Sequence, residues 1–139
     1  MKRTAWVYPW LRVDARVSRA VGQAGGVLLT RTANLTGLAA GLSAALAPWR
    51  KPFATHDPGK VIVDLALSLA LGGDCLADVA LVRSEPAVFG RVASDPTVSR
   101  LISKLAGDPG AALAAIATAR AAARARAWQL AGTSGPDHG

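Results

Sequence analysis

Three Asp-Pro pairs, Asp57-Pro58, Asp95-Pro96 and Asp108-Pro109, constrain this chain more than any other feature. An aspartate just before a helix accepts a hydrogen bond from the free amides of the first turn. Proline suits the next position because its missing N–H has no partner there anyway. Each pair precedes a helical pattern, so the spacing predicts three helix starts. Alanine, 30 of the 139 residues, favours helix elsewhere too, since it loses no side-chain entropy on entering one. A chain of this length and 51% hydrophobic content forms one domain with a real core, which excludes a disordered or collagen-like polymer.

The first predicted helix, Pro58 to about Leu71, is apolar nearly all round, as a central buried helix is. Its one polar line, Lys60, Asp64 and Ser68, must find partners or water. Upstream, Gly26 to Arg31 and Leu35 to Ala47 read as two short helices, the second ended by Pro48. Residues 5–17 alternate apolar positions and fit either an extended arm or a single strand, which would lack a partner. After Gly72-Gly73, Asp74 is placed to cap a short helix through Val82, and Pro86 to Phe89 makes another turn.

The second helix, Pro96 to Ala106, sets Val98, Leu101, Ile102 and Leu105 on one core-facing stripe. Its other face carries Ser99, Arg100, Ser103 and Lys104, flanked by Thr97, with no acid after the capping Asp95. Such a face suits a DNA groove, and it equally describes an ordinary amphipathic surface helix. The third helix, Pro109 to Ala131, aligns Leu113, Ile116, Arg120, Arg124 and Trp128. Two arginines continuing an apolar stripe mean either an end that docks on a partner or cations snorkelling at the edge of the core.

Charge is unevenly placed. Residues 1–51 hold eight basic groups against Asp14, residues 52–109 five basic groups against seven acids, and the remainder three against one; these segments of +7, −2 and +2 sum to the formal net charge of +7. A basic first third before a near-neutral body suits a polyanion partner or a solvated cationic surface. The longest uncharged stretch, Thr32 to Trp49, is eighteen residues but contains Asn34, three glycine or proline breaks and several hydroxyls, so no membrane span is expected. Nor does the start read as a signal peptide. The lone Cys75 makes no internal disulfide and reads as a buried structural thiol, consistent with the cytoplasm.

No enzyme site assembles from the residues themselves. His56 and His138 have no Cys or His at metal-ligand spacing; Asp74 and Asp78, four apart, are the minimum for holding a divalent ion, and one cap and one surface acid explain them more simply. Gly59-Lys60 lacks the glycine spacing of a phosphate loop, and no Gly-x-Ser-x-Gly elbow occurs.

Several longer runs carry a family signature. His56-Asp57-Pro58-Gly59-Lys60, Ala70 to Asp78 (ALGGDCLAD), Phe89-Gly90 and Ala93 to Arg100 (ASDPTVSR) resemble bacterial insertion-sequence transposases of the DDE type, transposase DDE domain group one. The arginine-rich stretch Ala119 to Trp128 and Gly135-Pro136-Asp137 are similar as well, so the resemblance covers nearly the whole chain. It implies an enzyme that binds the terminal inverted repeats of its element and joins them to new DNA. Catalysis in this family comes from three carboxylates on a ribonuclease-H-like fold holding two divalent metal ions, magnesium in the full-length proteins. No carboxylate of this chain matches that triad: Asp57, Asp64, Asp74, Asp78 and Asp95 fall in the family's helical N-terminal part.

The expected architecture is therefore all-α: a compact helical domain with a helix-turn-helix-like unit, an extended basic N-terminal arm and a long C-terminal helix. The expected division is an arm at 1–24, a DNA-binding-like body at 25–107, a long helix at 108–132 leading to an absent catalytic domain, and a tail at 133–139. The resemblance implies a transposase N-terminal fragment, catalytically inactive and without a cofactor of its own, that binds inverted-repeat DNA. Thr97, Ser99, Arg100, Ser103 and Lys104 would face DNA from a recognition helix. The arm, with Lys2, Arg3, Arg12, Arg16 and Arg19, would track phosphates, and Arg50 and Lys51 would add a second contact. The alternatives are a helical interaction or dimerisation module, meeting a full-length transposase or a second copy, and a standalone repressor of transposition.

Overall fold

The computed structural model describes residues 8–9 and 21–134. Seven α-helices follow one another among the described residues: α1 (Val21–Leu35), α2 (Leu38–Ala45), α3 (Pro58–Ala70), α4 (Val79–Arg83), α5 (Pro86–Phe89), α6 (Asp95–Ala106) and α7 (Pro109–Ala131). Short 3-10 turns occupy Ala47–Trp49, Leu76–Asp78 and Gly132–Ser134, and no strand occurs among these residues. The all-α expectation holds.

The Asp-Pro pairs open α3, α6 and α7, though in two different ways. Asp57 Oδ1 accepts from the Lys60 amide at 3.0 Å and Asp108 Oδ1 from the Ala111 amide at 3.2 Å, as capping aspartates do. Asp95 instead lies inside the first turn of α6, after Ser94 at the cap position, and turns its carboxylate to Arg83 Nη2 at 2.7 Å. A guanidinium within reach from α4 competes successfully for that oxygen.

Helix α2 is sandwiched between α3 and α7, while α1 covers α2, α3 and α5. The core joins Ala39, Leu42 and Leu46 to Val63 and Leu67 of α3, to Val82, Val88 and Phe89, and to Leu105, Ala112 and Ala119. Val61, Ala93 and Val98 form a smaller cluster beside it. The central, nearly all-apolar helix expected after Pro58 is α3.

Helix boundaries upstream differ from the sequence reading. Helix α1 runs fifteen residues, and the next helix starts at Leu38 rather than Leu35 because Gly37 takes the left-handed conformation, φ 75°, and breaks the chain between them. Helix α2 ends at Ala45, and Pro48 falls in the following 3-10 turn. Near residue 75, the carboxylate of Asp78 reaches back to the amides of Asp74 (2.9 Å) and Cys75 (3.1 Å), so Asp78 rather than Asp74 organises that turn. Those bonds hold the Asp78 carboxyl below its usual range. Cys75 is exposed, contrary to the buried thiol expected: its Sγ lies 3.3 Å from Asp78 Oδ2 on the surface of the turn.

The predicted stripe on α6 is also revised, and that on α7 is placed. On α6, Val98 and Leu105 are buried and Leu101 half-buried, but Ile102 is exposed because α7 and the Leu76–Asp78 turn cover only one edge of the helix. On α7 the inward face is Ala112, Ala119 and Ala123, with Ala115 and Ile116 beside them. Leu113, Arg120, Arg124 and Trp128 face outward. Helix α2 is itself built from Ala, Gly, Ser and Leu, so the two helices approach closely, and a Cβ on Gly41 would stand 3.7 Å from that of Ala119. Small residues on both sides make alanine, not leucine, the contact residue.

Tyr8 belongs to the core, 1% exposed. The Tyr8 amide donates to Asn34 Oδ1 at 3.4 Å, and Asn34 Nδ2 donates to the Tyr8 carbonyl at 3.3 Å; apart from Tyr8 and Pro9, the 5–17 segment, read as an arm or a strand, lies outside the described residues. One side-chain amide thereby satisfies both main-chain polar groups of Tyr8.

Candidate functional site

The polar line of α3 finds its partners within the protein. Asp64, 2% exposed, accepts from Tyr8 Oη at 2.7 Å and from Lys60 Nζ at 2.7 Å. The Lys60 ammonium also sits 4.8 Å from the centroid of the Tyr8 ring. Burial raises the Asp64 carboxyl above its ordinary range, opposed by the Lys60 charge and by the bonds from Lys60 and Tyr8. The Tyr8 phenol is raised strongly by its own burial and by Asp64. Ser68 is buried where the chain turns, its carbonyl accepting from the Gly73 amide at 2.9 Å.

Above this triad opens a cleft of about 490 Å³ between the start of α3, the loop before it and the turn at Gly90-Arg91. Tyr8, Arg50, His56, Asp57, Lys60 and Arg91 are among its walls. The His56 imidazole is held below its usual pKa, first by burial and then by the positive charges of Arg91 and Lys60. In the same loop Phe53 is fully exposed and, with φ 59°, is the one non-glycine residue in left-handed conformation among the described residues. That conformation costs an L-residue about 1–2 kcal/mol, and the ring gains no burial in return. Phe53→Gly should raise stability by about 0.5–1 kcal/mol after the extra freedom glycine brings to the unfolded chain, a rise of a few degrees in thermal midpoint by circular dichroism.

The residues expected to face DNA divide into three groups. Ser99, Arg100, Ser103 and Lys104 are all exposed on α6. Thr97 is half-buried, its hydroxyl within 3.1 Å of Ser94 Oγ and accepting from Arg100 Nη2 at 3.3 Å. Arg50 and Lys51 are exposed in the loop after the Ala47–Trp49 turn, Arg50 touching Asp57 at 3.4 Å. The cations Lys2, Arg3, Arg12, Arg16 and Arg19 lie outside the described residues.

The fold joins two of these groups. Lys104 Nζ donates to the Trp49 carbonyl at 2.7 Å, so the end of α6 is tied to the turn that leads into Arg50 and Lys51, 55 residues away in sequence. The only acid of α6, Asp95, is engaged by Arg83 and leaves the outer face cationic. Tyr8, Lys60 and Arg91 were not singled out as site residues by the sequence reading. Lys60 and Asp64 were at least visible as an i, i+4 pair, whereas the roles of Tyr8 and Arg91 depend on long-range packing.

Among the described residues, the one group of three side chains able to converge on a metal ion is Asp74, Cys75 and Asp78, with ligand atoms within 4.8 Å of one another. It does not fit a pair of magnesium ions: Asp78 Oδ2 already accepts from two backbone amides, and a thiol is a poor ligand for a hard cation. Asp57, Asp64, Asp95 and Asp108 are each engaged in a cap or an ion pair. No helix among the described residues is long and apolar enough to cross a membrane.

The family described as transposase DDE domain group 1 has a sequence model that matches residues 6–133. No curated protein and no solved structure matches the chain.

Proposed function

The chain belongs to the transposase DDE domain group 1 family, and on that premise we propose that it is the family's DNA-binding helical part, directed at the terminal inverted repeats of an insertion sequence. The observation that carries this reading is the outer face of α6, where Ser99, Arg100, Ser103 and Lys104 are exposed together and the helix's single acid is neutralised by Arg83. In this reading α6 is the recognition helix of a helix-turn-helix-like unit, preceded by the short helices α4 and α5. Thr97, at its first turn, positions Arg100 rather than reading bases.

Arg50 and Lys51 contact phosphates beside α6, held there by the bond from Lys104 to Trp49. Arg12, Arg16 and Arg19 extend the phosphate track. That Asp57, Asp64, Asp95 and Asp108 are each held in a cap or an ion pair supports assigning this chain binding rather than strand transfer, with the family's carboxylate-bound magnesium supplied elsewhere. Action in the cytoplasm, on the DNA of a bacterial element, accords with this role.

Arg100→Ala should weaken binding to an inverted-repeat duplex by about 1–3 kcal/mol and relax sequence preference, as loss of a base contact does. Lys51→Ala should instead weaken binding equally for all sequences and reduce the slope of log affinity against log salt by about one. Fluorescence anisotropy at several salt concentrations distinguishes the two. Unchanged binding in Arg100→Ala would remove α6 from the recognition role.

A second reading is favoured by α7, which presents Leu113, Arg120, Arg124 and Leu130 outward. That face suits contact with a full-length transposase or a second copy, through which the chain would act as an interaction module or repressor. Size-exclusion chromatography at rising concentration tests it: a monomer that binds DNA favours the first reading, and an oligomer indifferent to DNA the second.

A further inference from the structure

The cleft above the Tyr8–Asp64–Lys60 triad has more hydrogen-bond donors than the protein uses. Its two carboxylates are both committed. Asp57 Oδ1 takes the Lys60 amide and Oδ2 takes Ser43 Oγ at 2.8 Å, while Asp64 Oδ1 takes the Tyr8 hydroxyl and Oδ2 the Lys60 ammonium. Against them stand three permanent cations, Arg50, Lys60 and Arg91. Arg50 makes only the 3.4 Å contact with Asp57, and Arg91 is exposed with no hydrogen bond or ion pair among the described residues.

His56 lies beside these cations on the wall of the cleft. Its proton is disfavoured by burial and by Arg91 and Lys60, with Asp64 offsetting only part of that effect. Burial is the larger cause, and the two cations that add to it, both on the wall of the cleft, also favour an anion beside the ring. The room available, about 490 Å³, exceeds that of a small inorganic anion and admits a phosphate together with the group it is attached to.

We propose that this cleft seats a phosphate group between Arg91, His56 and Arg50, and that the phosphate belongs to the backbone of the bound DNA. The assignment rests on the DNA-binding reading above and deepens it, placing a fixed phosphate contact beside the loop that Lys104 ties to α6. Guanidinium groups suit this work because their planar fork matches two phosphate oxygens at once. His56 would donate from its ring, and its pKa would rise when the anion arrives. The charged groups facing it are Arg91 from the turn after α5 and Lys60 and Asp64 from α3.

The test follows the ring-proton signals of His56 by NMR in the full chain, with His56→Gln to assign them. Inorganic phosphate and a short duplex are titrated separately, and anisotropy reports duplex binding in parallel. The expected result is that His56 moves with the duplex at the concentrations where anisotropy changes, and with inorganic phosphate only at far higher concentration. Arg91→Gln should weaken duplex binding about tenfold and abolish the His56 response. Arg91→Lys should restore part of both, and thermal midpoints should stay unchanged because Arg91 is exposed and has no hydrogen bond or ion pair among the described residues.

A duplex that binds while His56 stays still under both ligands overturns the cleft and leaves the DNA reading intact. Movement with inorganic phosphate alone, while the duplex binds elsewhere, overturns the DNA backbone as the source and assigns the cleft to a free phosphate compound. Movement with inorganic phosphate in a chain that fails to bind any duplex overturns the DNA reading instead. No response to either ligand and no duplex binding overturn both.

Discussion

Asp64→Ala should destabilise the protein by about 3–5 kcal/mol, a large part of the 5–15 kcal/mol by which a domain of this kind is stable. The truncation removes the acceptor of two donors at once. It leaves the Lys60 ammonium, whose side chain is only 16% exposed, without its counter-charge, and the Tyr8 hydroxyl without a partner in the core. Most of the loss is the cost of stranding those groups rather than the net value of the pair, because desolvating two ions offsets much of their attraction. Tyr8→Phe should cost less, about 1.5–3 kcal/mol, since Asp64 keeps Lys60.

The triple variant Tyr8→Phe, Lys60→Met, Asp64→Leu should be more stable than Asp64→Ala alone, as it leaves nothing polar stranded. Urea denaturation of the four proteins measures this, and a triple variant no more stable than Asp64→Ala would contradict it. A pH series supplies an independent readout. The folded protein holds the Asp64 proton more tightly than the unfolded chain does, so this residue's contribution to stability falls as pH rises from the ordinary 3.8 through the raised folded value. In Asp64→Asn that decline should disappear.

Gly59→Ala should cost about 3 kcal/mol or more, although the change adds one methyl group near a helix start. A Cβ at Gly59 would lie 2.2 Å from the Ser43 amide nitrogen and 2.4 Å from the Leu42 carbonyl carbon, both backbone atoms of α2 that cannot swing aside. Relief requires α2 and α3 to separate by about an ångström or more. That would loosen Leu42 and Leu46 against Val63 and Leu67 and stretch the bond from Ser43 Oγ to Asp57.

The thermal midpoint should drop by roughly 10 °C. Gly41→Ala is the matched control, in mid-helix and facing a neighbouring helix, yet with its nearest neighbour at 3.7 Å in ordinary contact. The higher helix propensity of alanine should leave that variant as stable as the parent or up to about 1 kcal/mol more stable. Equal losses in the two variants would contradict the close approach at Gly59.

How much of this was legible in the sequence depended on how local each cause is. The Asp-Pro pairs act within one turn, and all three opened helices; only the carboxylate of Asp95 went elsewhere, because Arg83 reaches it from another helix. The Lys60–Asp64 spacing was visible as a polar line on an apolar helix, but its third member, Tyr8, arrives from 56 residues away. On α7 the alignment of Leu113, Ile116, Arg120, Arg124 and Trp128 leaves an outward docking end and a core-edge stripe both open, and the structure turns all but Ile116 outward. With α2 so rich in small residues, the close helix pair is filled by Ala112, Ala119 and Ala123.

The candidate site shows the same division. The exposed cations of α6 follow from helical periodicity alone. Their connection to Arg50 and Lys51 through Trp49, and the placing of His56, Lys60 and Arg91 around one cleft, are products of the tertiary fold.

On the function proposed above, this chain binds DNA through the face of α6 and the loop tied to it. The most direct test of that function is an anisotropy titration of the full chain against a duplex carrying the element's terminal inverted repeat and against a scrambled duplex of equal length, at low and physiological salt. Tighter binding to the repeat is expected at both salt concentrations, with affinity for both duplexes falling steeply as salt rises. Equal affinity for the two duplexes would contradict recognition of the repeat, and no binding even at low salt would contradict the DNA-binding role itself.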